Sequence, residues 1–130
     1  MGYGYGMCAK PIELRVLKLA EELSYEVFLQ TEGANYRGDA TIKGQLRRAA
    51  VSVHSNIAEG DGRRSAKEGI RFFQIALASA EEAKSQLRLS GKLEIVHPEV
   101  ALRLHEDYTG ICRMLNGLIN SRKKRAEELE

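Results

Sequence analysis

The segment that most constrains this chain is Gln45-Leu-Arg-Arg-Ala-Ala-Val-Ser-Val-His-Ser-Asn-Ile-Ala-Glu-Gly60. Together with the residues just before it, it puts Ile42, Leu46, Ala49, Ala50, Val53 and Ile57 on one stripe at helical spacing. Lys43, Arg47 and Arg48 fall off that stripe, which predicts a helix with one apolar side and one basic side. Gly60 then reads as its stop, because glycine enters the left-handed region without a Cβ penalty. A helix of this kind cannot stand alone and must lay its stripe against other helices.

The remainder of the chain supplies those partners. Pro11 suits the first position of a helix, and the spacing predicts one from there to about Thr31. Its buried stripe is Leu14, Leu17, Ala20, Leu23 or Ser24, Val27 and Phe28, with Gly33 as the stop. Residues Asn35 to Asp39 form a polar loop, and Asp39 can cap the second helix. Ser65-Ala-Lys-Glu68 fits a capping box for a third helix, with Glu68 reaching back toward the cap. Phe73, Ala76, Ala80, Ala83 and Leu87 form the third stripe, its alanines implying a close neighbour, and Gly91 reads as its end. Pro98 opens a fourth helix. There Ala101, Leu104, Tyr108, Ile111, Leu115 and Leu118 alternate three- and four-residue steps, a seam suited to bundle packing.

No strand pattern competes. The expected fold is all-α, an antiparallel up-down-up-down four-helix bundle over residues 11–121. Residues 1–10, Gly/Tyr-rich, read as a flexible N-terminal arm. Residues 122–130, where the apolar pattern has faded, read as a charged, fraying C-terminal tail. Phe72, Ile75 and Leu89 lie beside the main stripe of the third helix. They imply either wider core burial or a subunit interface.

Charge matters through its distribution, because the net value is only +2. From Arg37 to Gln74 there are eight Lys/Arg against four acids, and from Ala9 to Glu32 three against five. Lys43, Arg47, Arg48, Arg63, Arg64, Lys67 and Arg71 are therefore the candidate phosphate-contacting set. The competing reading is a solvated helix face ion-paired to Glu59, Glu68 and Glu82. Asn56 and Glu59 read as structural, Asn56 bonding a neighbouring helix and Glu59 pairing an arginine near the turn. Glu82, mid-helix beside apolar positions, is expected to be partly buried and paired with Arg47 or Arg48.

Catalysis finds little footing. His54, His97 and His105 lack metal-ligand spacing, and there is neither a serine nucleophile motif nor a phosphate-cradling glycine loop. No cofactor and no metal are expected. Cys8 and Cys112 do not make a disulfide framework and read as free thiols of a reducing cytosol. No segment is apolar for long enough to span a bilayer. A cytoplasmic protein without a membrane partner is the expectation.

The central segment also resembles a known family, the four-helix-bundle proteins of intervening sequences in bacterial large-subunit ribosomal RNA genes. Gln45, Leu46, Arg47, Arg48, Ala49, Ala50, Ser52, Val53, Asn56, Ile57, Ala58, Glu59 and Gly60 follow that family's signature. Gly62, Arg63, Ser65, Glu68, Arg71, Phe72, Ile75, Ala76, Ser79 and Glu82 follow its next segment. His54, Gly69, Ala78, Ala80 and Ala83 depart from it, changing side-chain volume and not helix pattern. The likeness runs from about Ile12 to Ser121. It implies a homo-oligomer, commonly a ring-like pentamer. Accessory proteins of diversity-generating retroelements look similar and bind a reverse transcriptase and its template RNA. What the resemblance and the charge pattern together imply is a non-enzymatic, oligomeric binder of RNA or DNA. The alternative is a protein-interaction scaffold such as an accessory subunit of a retroelement reverse transcriptase.

Overall fold

A computed structural model describes residues 11–33 and 39–129. The N-terminal arm with Cys8, most of the polar loop, and the side chain of Leu14 lie outside the described residues. Four helices follow one another: α1 (Pro11–Gln30), α2 (Asp39–Asp61), α3 (Ala66–Lys92) and α4 (Pro98–Leu129). Among the described residues there is no strand, so the chain is all-α. Each helix packs on the next and α4 returns to α1, while Arg122 of α4 also reaches Asp61 at the end of α2. Ser24 Oγ donates to the Ala50 carbonyl across α1 and α2 (2.9 Å). The hydroxyls of Ser52 and Ser79 pair across α2 and α3 (2.7 Å). Arg88 meets His105 across α3 and α4 (3.1 Å), and Arg103 pairs with Glu26 across α4 and α1.

The core follows the predicted stripes closely in α2, α3 and α4. Leu46, Ala49, Ala50, Val53 and Ile57 are buried, as are Phe73, Ala76, Ala80, Ala83 and Leu87, and every member of the α4 seam. Ile42 is only half-buried. On α1 the stripe is Val16, Ala20, Leu23, Ser24 and Val27, with buried Thr31 just past its end, so Val16 and Thr31 join it, Leu17 is only half-buried and Phe28 leaves it. Val27 occupies the core-facing position, and the next residue sits about 100° further round the helix. Phe28 therefore lies at the surface, 39% exposed. Ile75 and Leu89 are likewise exposed, at 41% and 43%. That removes wider core burial as the reason for Ile75 and Leu89, while Phe72 is half-buried.

Helix ends are where the sequence misleads. Gly33 does turn the chain after α1, at φ 105°. Ser65 caps α3, its Oγ accepting from the Glu68 N–H at 3.0 Å. The Glu68 carboxylate reaches back to the Ser65 hydroxyl (3.3 Å). Gly60 and Gly91, however, are not stops. Both lie inside their helices and are buried. A Cβ on Gly60 would stand 2.7 Å from the Phe73 ring, and one on Gly91 would stand 2.8 Å from the Ala101 methyl. These glycines permit close helix approach. The turn after α3 is made instead by Glu94, a non-glycine residue at φ 58°. Helix α4 also runs on to Leu129, beyond the point where the apolar pattern fades, and Arg122 is buried. Among the described residues, no helix is long and apolar enough to cross a membrane.

Two glycine substitutions separate close approach from mere helix weakening. Gly69→Ala would set its Cβ 3.0 Å from the Gly60 carbonyl oxygen and 2.8 Å from the Arg122 guanidinium. A loss of about 1–3 kcal/mol is expected from that overpacking. At Gly117 a Cβ meets nothing within 4 Å, so Gly117→Ala is expected to gain roughly 0.5–1 kcal/mol from helix propensity. Urea denaturation of both variants checks the contrast, and a stabilised Gly69→Ala would contradict the packing described.

Candidate nucleic-acid interface

Exposed cations gather where α2 turns into α3. Arg64, Lys67 and Arg71 are exposed there, the last two one turn apart on α3. Arg63 is already engaged: its guanidinium pairs with Glu59 (2.6 Å) and Glu68 (3.6 Å) and lies over the Phe72 ring, 4.6 Å from the centroid. Helix α4 arrives at the same place. Arg122 lies over the Phe73 ring (5.2 Å) and 3.9 Å from Asp61 Oδ1. That contact holds the late turns of α4 against the first turns of α3. Lys123 and Lys124 come next and are exposed, and Arg125 is half-buried. Among the described residues, none of Arg64, Lys67, Arg71, Lys123, Lys124 and Arg125 is engaged in an ion pair.

The rest of the sequence-predicted set does not join them. Lys43 is buried, at 8% exposure, where a solvent-facing position was expected. Arg47 is committed to the end of α1. Its Nε donates to Thr31 Oγ1 (2.7 Å), its Nη2 donates to the Thr31 carbonyl (3.0 Å), and its guanidinium lies over the Phe28 ring (4.7 Å). Terminal carbonyls of a helix lack internal partners, and a guanidinium supplies them. Lys43 and Arg47 line a cleft of about 370 Å³ with Thr31, Gly33 and Gly44. Arg48 is exposed, but it sits thirteen residues before the end of α2, roughly 20 Å along the axis. Two charge surfaces result, and not one.

The motif residues resolve individually. Glu59 pairs with Arg63, as expected of it. Asn56 does not reach a neighbouring helix: its Nδ2 donates to the Ser52 carbonyl (2.8 Å) and Ser52 Oγ (3.1 Å) of its own helix. The crossing to α3 is made by the Ser52 hydroxyl. Glu82 is exposed, and Ala83 takes the inward position beside it. An arginine partner for a buried carboxylate is therefore not required there. Sequence reasoning missed Arg122, Lys123 and Lys124, assigning them to a tail. The available signal was spacing, since Arg122 follows Leu118 by four and continues the alternation of the α4 seam.

Perturbed ionisable groups lie elsewhere. Burial first, then Glu81, pushes the Cys112 thiol up to about 11, so it stays protonated at neutral pH and is a poor nucleophile. Desolvation, with Lys84 and Arg88 adding, lowers His105 from its ordinary value. Among the described residues, no group of three His, Cys, Asp or Glu side chains could hold a metal ion.

The fold and the basic end define an all-α helical bundle with exposed cations near the α2–α3 turn. The 23S rRNA-intervening sequence protein family matches residues 12–117, and the chain belongs to that family. Among solved structures, it is similar to a protein of unknown function from the S23 ribosomal protein family of Bacteroides thetaiotaomicron VPI-5482. The TM-score is 0.73 and the identity 24%, over 84% of this chain and 98% of that one. At that identity the likeness is one of fold. No curated protein matches the chain. The family match stops before Arg122, so the cations of late α4 lie outside it.

The two adjacent arginines of α2 should separate cleanly. Arg47→Ala is expected to cost about 1–2 kcal/mol, because it leaves the end of α1 without its donor. Arg48→Ala should stay within about 0.5 kcal/mol of the parent, since Arg48 is exposed and pairs with none of the described residues. Denaturant midpoints of the two variants test this. Equal losses would contradict the assignment of Arg47 to structure.

Proposed function

We propose that this chain is an antiparallel up-down-up-down bundle that binds nucleic acid, RNA or DNA, through the basic end formed by α3 and α4. The antiparallel arrangement is supported by contacts between late residues of one helix and early residues of the next. Thr31 meets Arg47, Gly60 faces Phe73, and Gly91 faces Ala101. The observation that carries the function is the set of six cations there: Arg64, Lys67, Arg71, Lys123, Lys124 and Arg125. Nearby Glu59 and Glu68 are occupied by Arg63, and Asp61 faces Arg122. Cations left without carboxylate partners are what a phosphate backbone neutralises. The protein acts without catalysis, in the cytoplasm, and without a membrane.

The active form is a homo-oligomer, with a pentamer implied by the family resemblance. Its support is apolar surface that the core does not use: Val51, Ile75 and Leu89 are each about two-fifths exposed. Repetition around an assembly would turn a weak phosphate site into a multivalent one. The same apolar groups favour a second reading, an interaction scaffold such as a reverse-transcriptase accessory subunit. Salt separates the two, because association through apolar groups weakens little where phosphate binding weakens steeply.

Two outcomes are expected. Lys67→Glu with Lys123→Glu should weaken binding of a labelled RNA oligonucleotide across all sequences alike, since phosphate contacts do not read bases. The slope of log affinity against log salt should become shallower by about one unit for each phosphate no longer neutralised. Fluorescence anisotropy over a salt series measures both, and a parent protein that fails to bind at low salt ends the reading. Ile75→Glu with Leu89→Glu should lower the sedimenting mass without lowering the melting temperature. A parent that sediments as a monomer would remove the oligomer.

A further inference from the structure

Away from the basic end, α1 and α4 leave a cleft of about 340 Å³ between them. Its floor is apolar, from Leu19, Leu23, Ile111 and Met114. Four carboxylates rim it: Glu22, Glu26, Glu106 and Asp107. No cation lines it. Arg103 sits beside it, held by Glu26 and Asp107. Burial above all, with Glu26 and Glu106 adding and Arg103 opposing, raises the Asp107 carboxyl from its ordinary value. That is the mark of carboxylates crowded at a partly desolvated edge. Leu29 lies one turn beyond Glu26 on α1 and Leu102 one turn before Glu106 on α4, and both are exposed.

Glycines on α4 add a second observation. Gly110 lines the cleft, and Gly117 lies two turns further along the same face. A Cβ at either would meet nothing within 4 Å. Gly60, Gly69 and Gly91 are needed by the chain's own packing; these two are not. Glycine inside a helix weakens it, and here nothing within the chain explains the choice. A second helix lying close to α4 would.

We propose that this acid-rimmed cleft is a docking groove for an amphipathic helix of a partner protein, one carrying lysine or arginine on both flanks of an apolar stripe. The stripe would cover the leucines and methionine of the floor, and the flanking cations would meet Glu22 and Glu106, the two rim carboxylates that Arg103 does not hold. Ten residues separate Leu19 from Leu29, roughly 15 Å of helix, which suits about three turns of a partner. A two-fold contact of two copies through this groove is disfavoured by charge, because it would set Glu22 and Glu106 against their own counterparts. Nucleic acid and anionic membrane are rejected for the same reason. The groove lies on a different part of the bundle from the basic end, so it neither needs nor blocks nucleic-acid binding.

The probe is a fluorescein-labelled synthetic helix of leucine and lysine, about 18 residues long, with the leucines on one stripe. A counter-probe carries glutamate in place of lysine. The full chain should bind the first and ignore the second. Glu22→Lys with Glu106→Lys should weaken binding at least about tenfold, and Gly110→Leu, which fills the cleft without changing charge, should do the same. Glu127→Lys with Glu128→Lys changes the net charge equally but far from the groove, and should leave affinity within about twofold. Circular dichroism melts establish that each variant is folded; should the charge-reversed groove variant not fold, Gly110→Leu and Met114→Gln decide. Absence of binding by the parent overturns the proposal. So does an equal loss from the distant pair, which would mean diffuse charge attraction, or undiminished binding by Gly110→Leu. RNA binding by the groove variants, measured in parallel, should match the parent, which keeps a failure here distinct from a failure at the basic end.

Discussion

The basic end of this bundle depends on one buried guanidinium. Arg122 is 6% exposed and lies over the Phe73 ring, with Asp61 close by. Burying a cation is unfavourable unless its charge is met and its donors are used. The ring face meets the charge, and the Asp61 carboxylate lies within reach of an ion pair. Room for the arrangement comes from Gly60 and Gly69, which bring α2 and α3 together around the ring. Without the guanidinium on that ring, the late turns of α4 would have no reason to stay beside the start of α3. Lys123 and Lys124, which follow Arg122 directly, would then lose their place beside the start of α3.

Much of this fold was legible because helical periodicity is a strong signal where one face is buried. The stripes from Leu46 to Ile57, Phe73 to Leu87 and Ala101 to Leu118 need only spacing to be read. What resisted reading has a physical origin. Glycine serves both as a left-handed turn and as a gap for close approach, and only the neighbouring helix decides which. Gly33 is the first kind, while Gly60 and Gly91 are the second. Charged side chains carry the same ambiguity. Lys43, Arg47 and Arg122 are all basic, yet one is buried, one caps the carbonyls of α1, and one joins the core at an aromatic ring. Sequence spacing did contain Arg122, as the next step of the α4 seam, but a rule that admits only apolar residues to a core discards it. The candidate site was legible in kind, as a basic surface near the α2–α3 turn. Its membership was not, because late α4 is far away in sequence and close only after folding.

Adjacent arginines illustrate how fine that division is. Arg47 and Arg48 are neighbours in sequence and carry the same chemistry. Turning about 100° per residue, the helix gives the first to Thr31 and the second to solvent. A phosphate-binding role assigned by residue type alone would therefore count structural cations as functional ones. In this chain that distinction removes Lys43, Arg47 and Arg63 from the freely available set and adds Lys123 and Lys124.

Helix α4 carries both of the charged surfaces. Its middle, around Glu106 and Asp107, walls the acidic cleft, and its late turns open with the exposed pair Lys123 and Lys124, one turn ahead of exposed Glu127 and Glu128. The sixteen residues from Asp107 to Lys123 lie within one helix and span roughly 24 Å at the usual rise. Charges in solution are largely screened beyond about 8 Å at physiological salt. The acidic cleft therefore does little to cancel the potential at the basic end, and each surface presents its own sign to whatever approaches it. Near-neutral net charge hides this polarity: +2 over the whole chain is the residue of two opposed surfaces and not the absence of either. A rigid helix long enough to outrun screening lets one small bundle hold exposed cations at one end and an acid-rimmed cleft along its side without either cancelling the other.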